Sequence, residues 1–181
     1  MTSFLSLIGL IQAFILCNSP SSDQQIISYM DPGATTFIII RHAERENADA
    51  DCNLSTDGIS RAETLKHVLT AANVNAIYTT PYKRTKQTAE PLALAKKIMI
   101  SEYSTRTPYQ ELIQEILSKH QGKVVVIVGH SNTIPQLLKV LSNDSPVSEL
   151  EDGEFDNLFI VNYTTKADSK VVRLKYGRST P

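Results

Sequence analysis

The run "FIIIRHAE", residues 37–44, carries four apolar residues straight into Arg41 and His42, and "VVVIVGHS", residues 124–131, repeats the pattern into Gly129 and His130. A third run, "YTTPYKRTKQTAE" at 78–90, turns the chain at Thr80 and Pro81 and sets Arg84 at or near the start of a helix. Each residue type has an evident use. A guanidinium is a planar fork that matches two oxygens of an anion. A helix N-terminus offers free N–H groups and the positive end of a dipole. An imidazole near neutral pH can attack, or can give and take a proton. Two guanidiniums, two imidazoles and a helix N-terminus brought to one point make a site for a tetrahedral dianion.

Positioning them requires a sheet whose strand tips converge. The apolar runs "FIII" (37–40), "VNAIYT" (74–79), "IMIS" (98–101), "VVVIV" (124–128), "LFIVNY" (158–163) and "VVRLKY" (171–176) read as strands, several of them continuous and β-branched as in strands covered on both faces. Between them, apolar residues recur at helical spacing: Ile59, Ala62, Leu65, Leu69 and Ala72, then Ala89, Leu92 and Ala93, then Leu112, Ile113, Ile116 and Leu117, then Ile134, Leu137, Leu138 and Leu141. Such alternation predicts an α/β three-layer sandwich: a mostly parallel central sheet with helices on both faces. The last run alternates Val172, Leu174 and Tyr176 with Arg173 and Lys175, which predicts an antiparallel edge strand. Pro135 falls in the first turn of its helix, whereas Pro91 predicts a kink or restart between 85 and 96. In an open α/β sheet the ligand crevice lies beyond the carboxyl ends of the strands, which is where Arg41, His42, Arg84 and His130 then stand.

Composition sets outer bounds. Hydrophobic residues at 41%, charged residues at 20% and a net charge of −1 describe a globular chain of 181 residues with room for one core. A pI near 6.4 gives no global basis for binding nucleic acid, so an anion must be held by local charge. The first 17 residues hold no charged side chain, a run too short for a comfortable membrane span but suited to a secretory h-region. Residues 1–22 are read as a signal or anchor segment, 23–34 as a linker and 35–181 as the domain. The expected location is therefore exported (periplasmic, anchored or secreted), or cytoplasmic if the leader is instead a helix packed on the domain. The two cysteines are Cys17, considered for lipidation, and Cys52, read as an inert thiol.

The order "RHAE", "LSTDGISRA" (54–62), "YTTPYKRTKQTAEPLA" (78–93), "VVIVGHS" resembles the histidine phosphatase superfamily, which includes phosphoglycerate mutases and bacterial phosphohistidine phosphatases. The resemblance implies His42 as a nucleophile that becomes phosphorylated, with Arg41, Arg84 and a protonated His130 as its phosphate pocket. It implies no metal and no cofactor, and a phosphorylated small molecule or phosphoprotein as substrate. In larger relatives an acidic residue for the leaving group lies in the loop after the strand that follows the second arginine. Here that loop is "ISEYSTRTPY" and Glu102 stands in place, readable also as an exposed strand-end carboxylate; Glu44, Asp49 and Asp51 are near the nucleophile in sequence. Without an acid, good leaving groups or phosphoramidates are favoured. A binding module without turnover and a mutase-type phosphotransferase are the rival readings. "LSTDGISRA" is read as structural, with Ser55 capping a helix, Gly58 allowing a turn and Arg61 pairing with a carboxylate. "DGEFDNLFIV" (152–161) is read as shaping the rim or turning into a strand, without a catalytic role.

Overall fold

The computed structural model of the chain describes residues 33–180. The leader, Cys17 and most of the linker lie outside the described residues. Six strands form one sheet: β1 (Thr35–Arg41), β2 (Val74–Thr79), β3 (Ile100–Glu102), β4 (Val124–Gly129), β5 (Asn157–Tyr163) and β6 (Lys170–Lys175). Four helices connect them: α1 (Thr56–Val68), α2 (Lys83–Lys96), α3 (Tyr109–His120) and α4 (Ile134–Leu141). The spatial order is β3-β2-β4-β1-β5-β6. β3, β2, β4 and β1 pair in parallel, β5 runs against β1, and β6 runs against β5. This is the expected α/β architecture, with the antiparallel pair at one edge. The reversal occurs at β5, however, so β6 points the same way as the parallel strands.

The two faces of the sheet follow from strand alternation. Phe37, Ile39, Val125 and Ile127 pack with Leu112, Ile116, Leu137 and Leu138 of α3 and α4. Ile38, Ile40, Val126 and Val128 pack with Leu65 of α1 and with Ala89 and Leu92 of α2. Successive residues of β1 and β4 thus feed opposite layers, and both strands are buried on both faces.

Local details depart from the spacing in three places. α2 runs unbroken through Pro91, with Ala89, Leu92 and Ala93 buried on either side of it. β3 starts two residues later than "IMIS" predicts. Lys97 adopts a left-handed φ of 56° and Ile98 N–H donates to Ala93 O, so these residues are spent closing α2. Ile59, assigned to the apolar stripe of α1, is exposed.

The segment read as structural is so, with one change of reason. Ser55 caps α1 by accepting from Gly58 N–H at 3.1 Å. Buried Arg61 donates to both carboxylate oxygens of Glu44 and to the carbonyls of Tyr176 and Arg178. Gly58 makes no turn; it sits in the first turn of α1 against the chain that leaves the nucleophile strand. A Cβ there would lie 2.3 Å from Glu44 O. Helix propensity alone would make Gly58→Ala stabilising by about 1 kcal/mol. Because the obstacle is backbone, we expect the opposite sign, a loss of about 1–3 kcal/mol, read as a lower urea midpoint. A raised midpoint would show that the Glu44 backbone yields.

Candidate functional site

The β1–β4 register sets Arg41 opposite Gly129, and His42 N–H donates to Gly129 O at 2.9 Å, extending the ladder one step past the strand ends. The next residues on the two strands are therefore neighbours. The His42 and His130 rings lie 5.3 Å apart, centroid to centroid, edge to face. Gly129 allows a close approach of its own: a Cβ there would fall 2.7 Å from Thr133 Oγ1, which holds the turn by accepting from His130 N–H at 2.8 Å.

The two imidazoles have defined tautomers. His42 Nδ1 is 2.7 Å from Ala43 O, and a carbonyl only accepts, so Nδ1 carries the proton and Nε2 keeps its lone pair. His130 Nδ1 is 3.3 Å from Arg84 Nη2, which only donates. His130 Nε2–H then donates to Thr80 Oγ1 at 2.9 Å, and Thr80 Oγ1 is 2.9 Å from Thr85 Oγ1. Thr85 Oγ1 in turn donates to Tyr82 O at 2.8 Å, ending the chain on α2. Thr88 of the same helix accepts from Ala43 N–H at 2.9 Å and so secures the segment after the nucleophile.

Arg41, His42 and His130 are buried at 2%, 4% and 8% exposure, and all three line, with Arg84, an open cavity of about 490 Å³. Arg84 Nη1 donates to Ala50 O at 2.6 Å and its guanidinium lies 4.4 Å from the Tyr82 ring centre. Arg41 Nη1 donates to Glu151 O at 2.7 Å and to Glu154 O at 3.3 Å, with the Phe155 ring centre 4.3 Å from its guanidinium. The four residues expected to converge do converge.

Two expectations are corrected. Glu102 does not reach the site: it ends edge strand β3, does not line the cavity, and its carboxylate is 3.1 Å from Lys86 Nζ. Nor is the N-terminus of α2 open to a ligand at its first N–H, because Lys83 N–H donates to Asp51 Oδ1 at 2.7 Å. The protein's own carboxylate takes that place. The expectation of a protonated His130 concerns the anion-bound pocket; in the free protein its value is lowered. Burial first, then the charges of Arg84 and Arg41, push it down to about 4. His42 is pushed down to about 3 by burial, then by Arg41, His130 and Arg84, against the opposing pull of Ala43 O.

Residues not anticipated at the site include Arg45, Tyr82 and Thr105, which line the cavity. Asp152, which also lines it, and Phe155, whose ring centre is 5.9 Å from that of His42, belong to the segment read as shaping the rim. Asp152 and Phe155 arrive because β5 is reversed. Leu158 pairs with Ile40 near the C-terminal end of β1, so the residues entering β5 lie at the strand tips. Reading the reversal at "LFIVNY" would have found them. Cys52 is buried, free, and directs its Sγ to Asn47 O.

Residues 37–106 match the family model of the histidine phosphatase superfamily, branch 1. Among solved structures, Bacillus stearothermophilus YhfR superposes at a TM-score of 0.60 with 20% identity, over 74% of this chain and 94% of that one. A mycobacterial glucosyl-3-phosphoglycerate phosphatase superposes at 0.64 with 12% identity, over 80% of this chain and 100% of that one. A putative alpha-ribazole-5'-P phosphatase from Escherichia coli K-12 does so at 0.63 with 12% identity, over 78% and 96%. The fold is that of the histidine phosphatases. The histidine phosphatase resemblance read from the motifs thus holds for the family model and the fold together. No curated protein sequence matches the chain.

The low folded values of the two imidazoles make stability depend on pH. Ordinary histidine titrates near 6.5, so between that pH and the folded values the unfolded chain binds protons that the native one does not. Stability is therefore full above about pH 6.5 and is lost on acidification, by up to about 1.4 kcal/mol per pH unit for each imidazole. Side-chain NMR should show both rings neutral at pH 5, with His42 protonated at Nδ1 only. Either ring titrating near 6.5 would contradict the electrostatic description.

Proposed function

We propose that this chain is a phosphatase that hydrolyses phosphomonoesters or phosphoramidates through a phosphohistidine formed on His42, without a metal. The observation that carries the proposal is the His42 tautomer: Nδ1 is committed to Ala43 O, which leaves an unprotonated Nε2 in a cavity shared with two guanidiniums. Uncatalysed monoester hydrolysis is slow enough that enzymes supply up to ~10²¹-fold, about 28 kcal/mol at ~1.36 kcal/mol per decade. One charged hydrogen bond contributes only about 1.5–3 kcal/mol, so a covalent route that divides the barrier is the chemistry these residues favour.

In the first step the Nε2 lone pair attacks phosphorus while Arg41 and Arg84 take charge from the transferring oxygens. A bound dianion adds a strong attraction for positive charge beside His130, and in the complex this favours its protonated form over the neutral one. In the second step water attacks the phosphohistidine and the electron pair of the N–P bond returns to Nε2. The same cations that keep His42 unprotonated would repel a divalent metal. Among the described residues no three His, Cys, Asp or Glu side chains group as metal ligands would.

The names of the fold's neighbours support the reaction class. They include phosphatases named for a glucosyl phosphoglycerate, for alpha-ribazole-5'-P and, in Entamoeba histolytica, for phosphoserine. Those substrates differ so widely that none transfers to this chain. The second reading, a phosphate-binding module, is favoured by the displacement of Glu102 from the site.

Turnover of p-nitrophenyl phosphate separates the two. The wild type should release phosphate in the presence of a chelator, and alkaline quench should trap labelled phosphate on the protein. His42→Ala should lose at least about 10³-fold in kcat and all trapped label. A protein that binds vanadate without turnover is the binding module, and turnover that survives His42→Ala or disappears with chelator would end the mechanism.

A further inference from the structure

With Glu102 away from the cavity, the proton for the leaving group has no assigned source. We propose, resting on the phosphatase reading above, that Asp152 supplies it and later takes it back from water. Among the described residues lining the cavity, Asp152 is the one carboxylate. Five neighbouring acids are engaged elsewhere: Glu44 by Arg61, Asp51 by Lys83 N–H, Glu102 by Lys86, Glu154 by Arg173 and Asp156 by Lys175. Asp49 and Glu151 do not line the cavity. Asp152 has one loose contact, its Oδ1 lying 3.4 Å from Arg41 Nη2, and its side chain is 93% exposed.

Its loop is nonetheless fixed at the site. Arg41 Nη1 draws in the carbonyls of Glu151 and Glu154, one on each side of Asp152 and Gly153. Phe155 then stacks on the same guanidinium and lies against His42. The carboxyl is therefore tethered to the arginine that would hold a phosphoryl oxygen, one guanidinium away from the reacting group.

The balance of the step is complete. His42 Nε2 forms the N–P bond, the P–O bond to the alcohol breaks, and the departing oxygen takes the Asp152 proton to leave as ROH. Water then attacks phosphorus, the Asp152 carboxylate accepts its proton, and the N–P pair returns to Nε2 as inorganic phosphate departs.

A leaving-group series tests the assignment through kcat/KM, which reports the first phosphoryl transfer. Asn keeps an oxygen for Arg41 but carries no acidic proton, so Asp152→Asn isolates the proton. On an alkyl phosphate, whose alkoxide is a poor leaving group, we expect a loss of about 10²–10⁴-fold. On p-nitrophenyl phosphate, which needs little protonation, the loss should stay under about tenfold, and Asp152→Glu should recover part of the alkyl-phosphate rate. Vanadate affinity and the urea midpoint of the Asn variant, compared with wild type, report whether the pocket and fold are intact. Equal losses on both substrates would make Asp152 a positioning residue for Arg41 and overturn the proposal, as would no loss on either. A wild type that turns over neither substrate, nor a phosphoramidate, overturns the phosphatase reading itself, and the acid with it. The two failures are thus distinct, one visible in the wild type and the other only in the ratio between substrates.

Discussion

The pairing of Arg41 with Gly129 across β1 and β4 is the constraint from which the site follows. Side chains alternate faces along a strand, so a slip of one residue would exchange every core position of β1 between the two helical layers. Burial on both faces forbids that slip: Phe37 and Ile39 serve one layer, Ile38 and Ile40 the other. The core thus fixes a register whose last rung is the His42 N–H to Gly129 O bond. Two imidazoles 88 positions apart in sequence are brought side by side by hydrophobic packing that touches neither of them.

How the arginines are held decides what they can do. Arg61 is saturated: its fork grips both oxygens of Glu44 and two carbonyls. Its charge is cancelled within the protein, as a structural role requires. Arg41 and Arg84 are buried or half-buried against backbone carbonyls and aromatic rings instead. Carbonyls orient a guanidinium without neutralising it. Positive charge is consequently left over at the strand tips; it adds to burial, the larger cause, in lowering the values of His42 and His130, and it leaves the cavity complementary to an anion. The single carboxylate near Arg41 stays at 3.4 Å, too loose to cancel that charge in exposed surroundings.

What the sequence made legible divides along range. β2 spans the residues that "VNAIYT" predicts, and α4 carries its proline in the first turn as expected, because strand and helix periodicities are properties of consecutive residues. Arg41, His42, Arg84 and His130 were legible for the same reason: each stands at a strand's C-terminal end or within a few positions of it, and one rule about strand ends collects them. Glu102 was misplaced because it was carried over from the loop where larger relatives place an acid, and position in that loop does not say how far from the sheet's centre the residue stands. β3 is an edge strand, and its tip falls outside the cavity. The capture of Lys83 N–H by Asp51 was equally hidden, since a loop folding back across 32 positions leaves no periodic trace.

The reversed strand β5 marks the deepest of these differences and has a functional meaning. A parallel strand can deliver to the crevice only its C-terminal flank, and that flank must turn at once toward a helix. A strand running the other way delivers its N-terminal flank, here the loop that carries Asp152 and Phe155 to the His42 side of the sheet. Arg41, His42, Arg84 and His130 stand on or beside packed elements, whereas Asp152 sits on a loop held by Arg41 from one side and by the Glu154–Arg173 pair and the Phe155 N–H to Thr180 Oγ1 bond from the other. On the proposed reaction, the attack on phosphorus would belong to the packed sheet, and the choice of what departs to the loop entering β5.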